Sequence, residues 1–257
     1  VEYWRWWLVH LWVEGFFEVF ATAVMALIFT RLGLIRTATA NVTVLFATII
    51  FMAGGVLGTL HHLYFVGTPI SVVALGASTG GPSALVSVLR DLPSQAGLLI
   101  LLVLHIDEPF GSAFAEWLSD QTPHSVKFAL GGEPIESLNS RVLMAPPGRH
   151  LIAEGTRLAL NDGPERHSCK PSIDNLFESL AKGHAGRCCA ALLTGMGRDG
   201  ASGLLALREG GGLTVAQDEE TSIVYGMPRE AALLGGASRV LPLGEIGRFL
   251  ADAVAAR

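Results

Sequence analysis

The sequence predicts an α/β protein with a doubly wound, mostly parallel sheet in a three-layer α/β/α arrangement, preceded by a pair of transmembrane-type helices. Only six of the 41 formal charges lie in residues 1–69, which contain two long apolar runs. From Ile70 onward, short β-branched runs alternate with amphipathic stretches and glycine or proline punctuation, the pattern of α/β folds. We therefore divide the chain into a membrane segment, 1–69, and a separate domain, 70–257.

Composition excludes several classes of protein. Half of the residues are apolar and the mean hydropathy is +0.45, which excludes a disordered chain. Three cysteines in 257 residues do not form a disulfide framework. The net charge of -5 disfavours nucleic-acid binding, so we expect no nucleic-acid partner.

The two apolar runs are long enough to cross a membrane. They cover Trp6–Thr30 and Val42–Leu60, 25 and 19 residues, and a span needs about 20 helical residues. Four of the five tryptophans lie at the entrance of the first run, where indole rings favour the headgroup layer. We expect membrane contact through residues 1–69, with a pair of buried helices in a soluble protein as the alternative.

Ionisable side chains interrupt both runs. His10, Glu14 and Glu18 are spaced four apart and share one helical face, and the second run ends in His61 and His62. An antiparallel helix pair would bring the histidines and Glu14 to a similar depth, and buried ionisable groups in membranes are usually functional. Three imidazoles and a carboxylate are suitable ligands for a first-row metal such as iron.

The stretches WRWWLVHLWVEGFFEVF and GGVLGTLHHLYF resemble two consecutive helices of the nitric oxide reductase large subunit, a member of the haem-copper oxidase superfamily. The resemblance covers about residues 2–69. It implies that the histidines and Glu14 match iron ligands and that Glu18 matches a nearby carboxylate. Because the family needs haem ligands on further helices, we expect no metal and no cofactor here. A membrane metalloprotein fragment remains the alternative function.

The remaining residues contain predicted strands and helices in alternation. We predict strands near 71–76, 97–104, 125–129, 140–144, 188–194, 213–216 and 238–241. We predict helices near 81–91, 110–120, 172–182, 200–209, 227–234 and 244–256. The segments on either side of residues 154–156 predict a β-hairpin inserted in the sheet.

Three predicted strands end in residues that can perform chemistry. The first runs into a turn with the pattern G-x-S-x-G around Ser78, the second ends at His105, and a later one leads to GMGRDG, which contains Asp199. Ligands bind outside the carboxyl ends of the strands in such sheets. These residue types are those of a nucleophile, a general base and an orienting acid.

Each of these three residues, taken alone, could have a structural role instead of a catalytic one. Ser78 and Asp199 fit helix N-caps, and His105 fits a hydrogen-bonded residue at a strand end. The order Ser, His, Asp also differs from the Ser, Asp, His order of α/β-hydrolases. A dinucleotide loop at residues 76–81, with Asp107 on the ribose, is disfavoured because its glycines are spaced G-x-x-x-G-G.

Residues 71–257 resemble the catalytic domain of CheB-type chemotaxis protein-glutamate methylesterases. The matching stretches are VVALGASTGGPSAL, MAPPGRHL, KPSIDNLFESLA, LLTGMGRDGA and TVAQDEETSIVYGMPREA. The resemblance implies that Ser78 is the nucleophile, His105 the base and Asp199 the acid. Thr79 and Met196 match residues lining the site, the latter at the oxyanion-hole backbone. Leu104 and Ile106 flank the histidine where the family usually has Gln and Met.

The resemblance implies hydrolysis of glutamate methyl esters on methyl-accepting chemotaxis receptors, with deamidation of particular glutamines, by a cytoplasmic domain without cofactor. The family commonly carries a phosphoreceiver domain; residues 1–69 lack its pattern, so we expect no control by phosphorylation within this chain. For two further groups of residues in this domain, one of basic residues and one of histidines, we favour ordinary roles at the surface or in the core. They are the basic residues Arg149, Arg166 and Lys170, which receptor contact would otherwise explain, and the histidines His124, His150, His167 and His184.

Overall fold

The structure is a computed structural model that describes residues 16–46, 48, 49, 70–94, 98–136 and 141–255. The chain divides into two compact units, Val1–Gly67 and Thr68–Arg257. In the first unit, helix α1 covers Phe16–Arg31, and residues 37–46 and 48–49 are helical as well.

The two predicted membrane spans fall only partly within the described residues. Residues 1–15 and 50–69 lie outside them. These ranges contain His10, Glu14, His61 and His62, which match iron ligands of the resembled family. In the part that the structure describes, no helix has both the length and the apolar character needed to cross a bilayer. The prediction of two transmembrane-type helices is therefore not confirmed.

The second unit is built on a twisted sheet. Its strands and those of a separate hairpin are β1 Val72–Ala77, β2 Leu99–Leu104, β3 Val126–Phe128, β4 Arg141–Met144, β5 His150–Glu154, β6 Arg157–Asn161, β7 Cys188–Leu192, β8 Leu213–Gln217 and β9 Arg239–Leu241. The strand order of the main sheet is β3-β4-β2-β1-β7-β8-β9. Every pairing in it is parallel.

Five α-helices lie between these strands: α2 Gly81–Asp91, α3 Glu108–Gln121, α4 Ile173–Ala181, α5 Ala201–Glu209 and α6 Met227–Leu233. A further helix, α7 Leu243–Ala255, follows β9. Within the described ranges, each strand and helix predicted for the main sheet is present, with ends no more than two residues from those predicted. The regular alternation of apolar strands and amphipathic helices was thus a sufficient signal for these elements.

The helices cover both faces of the sheet. Along β1, Val72 and Ala74 pack into a core with α4, α5 and α6, whereas Val73 and Leu75 pack into a second core with α2, α3 and α7. Because both faces are buried, the central strands are continuous apolar runs rather than alternating ones. The three-layer, doubly wound architecture predicted from the sequence is confirmed.

The predicted hairpin forms, but its predicted place in the main sheet is wrong. Strands β5 and β6 pair only with each other, as an antiparallel two-stranded sheet. Each has one apolar side, with Leu151 and Leu158 buried in the core that holds α4. The other side chains are mostly half-buried or exposed. A strand with one apolar face fits the surface of the domain better than the doubly covered interior of a parallel sheet.

Candidate active site

The site lies at the carboxyl ends of β1, β2 and β7. Connections on one side of β1 lead to β2 and on the other side to β7, so the strand order reverses at this point of the sheet. Ala77 pairs with Leu104 in the parallel register, which makes Ser78 and His105 the next residues on adjacent strands. The His105 N–H donates to the Ala77 carbonyl at 3.2 Å, and the Ser78 N–H donates to the Thr194 carbonyl at 3.0 Å.

Ser78 sits in a tight turn between β1 and α2. Gly80 has a left-handed φ of 81° and occupies the N-cap of α2 without a side-chain hydrogen bond, and a proline follows in the first turn. A Cβ on Gly80 would lie 2.6 Å from Cβ of Ile223, so only glycine fits the turn. The helix cap belongs to Gly80 and not to Ser78. The alternative role of Ser78 as an N-cap is therefore wrong, and its half-buried side chain serves no helix end.

A second glycine sets the distance between the turn after β7 and Ser78. A Cβ on Gly195 would lie 2.7 Å from Cβ of Ser78 and 2.6 Å from Cε of Met227. Such approaches are closer than van der Waals contact permits, so the absence of a side chain at Gly195 lets the two turns touch. The glycine-rich sequence after β7 thus defines the wall beside Ser78.

Asp199 is held by four hydrogen-bond donors. Its Oδ2 lies 2.9 Å from Nε2 of His105 and accepts the Ile173 N–H at 2.7 Å. Its Oδ1 accepts the Ser172 hydroxyl at 2.7 Å and the Asp174 N–H at 3.1 Å. The carboxylate thus lies at the N-terminus of α4, where exposed N–H groups favour negative charge.

Asp199 does not cap the helix that follows it in sequence. The N-cap of α5 is Gly200, which makes no side-chain cap bond, so the alternative role of Asp199 as the N-cap of its own helix is wrong. Burial raises the pKa of Asp199, but the hydrogen bonds from His105, Ser172 and the α4 backbone outweigh it and hold that pKa below 3.8. The side chain is 2% exposed and ionised at neutral pH.

The carboxylate determines the tautomer of His105. Because an ionised Asp199 can only accept, Nε2 of the neutral imidazole carries the proton and Nδ1 carries the lone pair. The Sγ atom of Cys169 lies 3.5 Å from this Nδ1. Burial, followed by the nearby carboxylates of Asp199 and Glu165, raises the pKa of the Cys169 thiol to about 11. Cys169 is thus a protonated thiol at neutral pH.

A charge network around the buried carboxylate of Asp174 holds the loop that carries Cys169. Oδ1 of Asp174 accepts the Gly203 N–H at 2.7 Å, and its Oδ2 lies 3.2 Å from Nε2 of His167 and 3.4 Å from Nη2 of Arg166. Arg166 also forms a bidentate pair with Glu178. Burial raises the pKa of Asp174, opposed by its hydrogen bond from Gly203. The loop is therefore attached to α4 through contacts of Arg166 and His167 with the α4 carboxylates of Asp174 and Glu178.

Sequence reasoning did not single out Cys169 and Ser172 as parts of the site. Ser172 lies within the stretch KPSIDNLFESLA and is the N-cap of α4, where its hydroxyl also accepts from the Asn175 N–H. A serine directly before an amphipathic helix is a recognisable cap signal. No local pattern marks Cys169, because its contact with His105 joins residues 64 apart in the chain.

The other two predicted site residues, Thr79 and Met196, directly follow Ser78 and Gly195 at this edge of the sheet. The carbonyl of Thr79 accepts the Thr194 hydroxyl at 3.0 Å. Met196, 76% exposed, directly follows Gly195. Within the described ranges, the backbone N–H of Met196 has no acceptor.

The basic residues near the rim are already paired. Arg149 makes two hydrogen bonds with the carboxylate of Asp162, and Lys170 donates to the Asp162 carbonyl. Arg166 is engaged by Glu178. The two arginines are thus paired with carboxylates of this chain, whereas Lys170 donates to a carbonyl oxygen.

Three of the four remaining histidines are core residues, as the sequence indicated. His124, His150 and His184 are buried, and each contacts a backbone carbonyl through Nε2. His167 instead lies in the network around Asp174, where its Nδ1 accepts from Arg198. Sequence reasoning missed this role because the network forms only when the loop folds onto α4.

The CheB methylesterase family model matches residues 73–250. The chain belongs to this family. Protein-glutamate methylesterase/protein-glutamine glutaminase 2 of Anaeromyxobacter dehalogenans is 46% identical over 183 residues, 71% of this chain and 53% of that protein. Protein-glutamate methylesterase FrzG of Myxococcus xanthus is 44% identical over 184 residues, 71% of this chain and 54% of that protein. The chain spans about half the length of these CheB-type relatives.

A solved structure covers the same domain. The crystal structure of the Thermotoga maritima CheB methylesterase catalytic domain aligns with a TM-score of 0.66 at 30% identity, over 72% of this chain and 99% of that one. The second unit therefore has the fold of a whole CheB catalytic domain.

A second family model, cytochrome c and quinol oxidase polypeptide I, matches residues 1–104. This match agrees with the resemblance of residues 2–69 to a subunit of the haem-copper oxidase superfamily. It overlaps the CheB match over residues 73–104. The overlap includes most of β1, the helix α2 and β2, and these two strands are central in the main sheet.

Proposed function

We propose that the domain starting near residue 70 is a serine hydrolase that removes methyl esters from glutamate side chains of methyl-accepting chemotaxis receptors, and deamidates glutamines there. The observation that carries the proposal is the 2.9 Å contact between His105 and Asp199 at the strand edge that also holds Ser78. The names of the CheB-type relatives give both reactions. A cytoplasmic location, which the family resemblance implies, belongs to the same proposal.

The proposed mechanism begins with Nδ1 of His105, the nitrogen that Asp199 leaves unprotonated. It takes the proton of the Ser78 hydroxyl while Oγ attacks the ester carbonyl. The imidazolium then gives this proton to the leaving methoxide, which departs as methanol. Water, deprotonated in turn by His105, hydrolyses the glutamyl-serine ester and returns a free glutamate and a free Ser78.

Two groups stabilise charge during these steps. Asp199 remains ionised and interacts with the imidazolium that forms on His105. The backbone N–H of Met196, which follows the glycine that approaches Ser78, has no acceptor in the described ranges and supplies a donor for the oxyanion. Thr79, which follows Ser78 in the chain, lines the same edge of the site. Each step uses groups of this chain alone.

The alternative function, a membrane metalloprotein fragment of a nitric oxide reductase, is not favoured. The family to which the chain belongs, the CheB methylesterases, matches residues 73–250. The residues that match iron ligands of that family, His10, Glu14, His61 and His62, lie outside the described residues.

The proposal is tested by methanol release from a methylated receptor with the full chain and its Ser78→Ala variant. Removing the nucleophile of a triad costs on the order of 10⁴–10⁶ in rate. The matched control is Ser83→Ala, since Ser83 is an exposed residue of α2 whose hydroxyl bonds only the Gly80 carbonyl among its described partners. Equal methanol release from the parent and Ser78→Ala would refute the assignment.

A further inference from the structure

The active site contains a pair of metal-ligand atoms that the proposed hydrolysis does not use together. Sγ of Cys169 and Nδ1 of His105 face each other at 3.5 Å. In tetrahedral zinc sites the Zn–S distance is about 2.3 Å and the Zn–N distance about 2.0–2.1 Å, which places S and N about 3.5 Å apart. The two atoms thus already have the spacing of two ligands on one zinc ion.

The surroundings of His105 match those of a zinc-binding imidazole. Metal-bound histidines usually donate their other N–H to a carboxylate, which orients the ring and raises its basicity. Asp199 holds this position on Nε2. Sγ of Cys169, a ring nitrogen of His105 and a carboxylate oxygen of Asp199 all lie within 4.8 Å of one another. Because four donors already occupy Asp199, we assign it the orienting role and not that of a ligand.

We propose that Nδ1 of His105 and Sγ of Cys169 bind Zn²⁺ and that the bound ion blocks the esterase, with water in the remaining positions. Formation of the Zn–S bond breaks the S–H bond, and the proton passes to solvent. The ion occupies the lone pair that would accept the Ser78 proton. The metal site itself does not depend on the proposed function. Only the inhibition of the esterase rests on the proposed function.

Cys169 can be distinguished from every other thiol of the chain. The other two cysteines, Cys188 and Cys189, are fully buried in β7. Cys188 pairs with Val72, at the amino end of the sheet. At about 3.3 Å per residue, it lies roughly 20 Å from the edge that holds Ser78. Residues 1–69 contain histidines and no cysteine. A thiolate signal from a bound metal therefore reports on Cys169.

The experiment uses Co²⁺ as a spectroscopic probe in the full chain. A cobalt-thiolate bond gives a near-ultraviolet charge-transfer band that histidine or carboxylate ligands do not give. We expect the band in the parent and in the control Cys188→Ala, its loss in Cys169→Ser, and its displacement by Zn²⁺. A band that persists in Cys169→Ser, or no band in the parent, would overturn the site.

Two further measurements keep the proposal testable if a variant folds poorly. In the parent alone, Zn²⁺ should slow alkylation of Cys169 by iodoacetamide, located by mass spectrometry; an unchanged rate contradicts the proposal. Half-inhibition of methanol release should require at least about tenfold more Zn²⁺ in Cys169→Ser than in the parent. Equal inhibition would contradict a role for Cys169. If the parent releases no methanol, the proposed function fails, while the cobalt band still decides the metal site.

Discussion

Nε2 of His105 lies 2.9 Å from Oδ2 of Asp199, and the same oxygen accepts the N–H of Ile173 at the first turn of α4. The orientation of the His105 imidazole, directly after β2, is thus determined through a helix that follows β6 much later in the chain. One carboxylate therefore serves as the orienting acid of the proposed triad and as a cap for α4.

We expect Asp199→Asn to lose both turnover and stability. The amide has one acceptor oxygen for four donors, and its NH₂ group would face N–H or O–H donors. The rate should fall about 10⁴-fold, and unfolding free energy should fall by about 1–3 kcal/mol. From the sequence alone we would expect little loss of stability. The measurements are denaturant unfolding and methanol release.

Asp107→Asn is the control for this change. Asp107 is an exposed N-cap of α3 that makes no side-chain cap bond, so the same substitution there should alter neither quantity by much. Unchanged unfolding of Asp199→Asn would show that the buried hydrogen bonds of Asp199 contribute nothing to stability.

Ser172 is a positioning residue in this arrangement. Ser172→Ala removes the hydroxyl that donates to Oδ1 of Asp199 and caps the Asn175 N–H. We expect kcat to fall about tenfold with KM little changed, because a hydrogen bond to a charged group is worth about 1.5–3 kcal/mol. Ser172→Thr, which keeps the hydroxyl, should recover most of kcat. If KM rose while kcat stayed constant, Ser172 would act on substrate binding instead.

The contact between Gly195 and Ser78 makes a steric prediction. Gly195→Ala places a methyl group 2.7 Å from Cβ of Ser78, so the nucleophile must move. A displacement of about 1 Å can cost 10²-fold in rate, and we expect a loss of about that size in kcat. Gly183→Ala is the matched control, since its added methyl meets nothing within 4 Å. Similar rates for the two variants would mean that the Ser78 turn adjusts freely.

Asp199 also predicts a pH dependence of stability. Its pKa is lower in the folded chain than its ordinary value of 3.8, so its ionised form stabilises the fold. That contribution is complete above about pH 4 and is lost as pH falls through the lowered folded pKa. The stability difference between the parent and Asp199→Asn in urea should therefore shrink between pH 6 and pH 3. A constant difference over this range would contradict a lowered pKa.

The fold was predictable because its signals are local. Continuous apolar runs marked the central strands, and the rule that ligands bind at carboxyl strand ends brought Ser78, His105 and Asp199 to one edge. The partners of Asp199 were not predictable. They depend on how the loop before α4 folds, and this loop includes left-handed, non-glycine residues at His167 and Ser168. Neither periodicity nor turn residues encode such a conformation.

The bonds from Asp199 to the first turn of α4 make base orientation part of local folding. When that turn opens, the amide protons of Ile173 and Asp174 lose their acceptor at the same moment as His105 loses its partner. Hydrogen exchange at these two amides would then measure the fraction of molecules with a correctly oriented imidazole. Heat-induced loss of the proposed esterase activity should accordingly follow the opening of one helix end, ahead of the unfolding of the sheet.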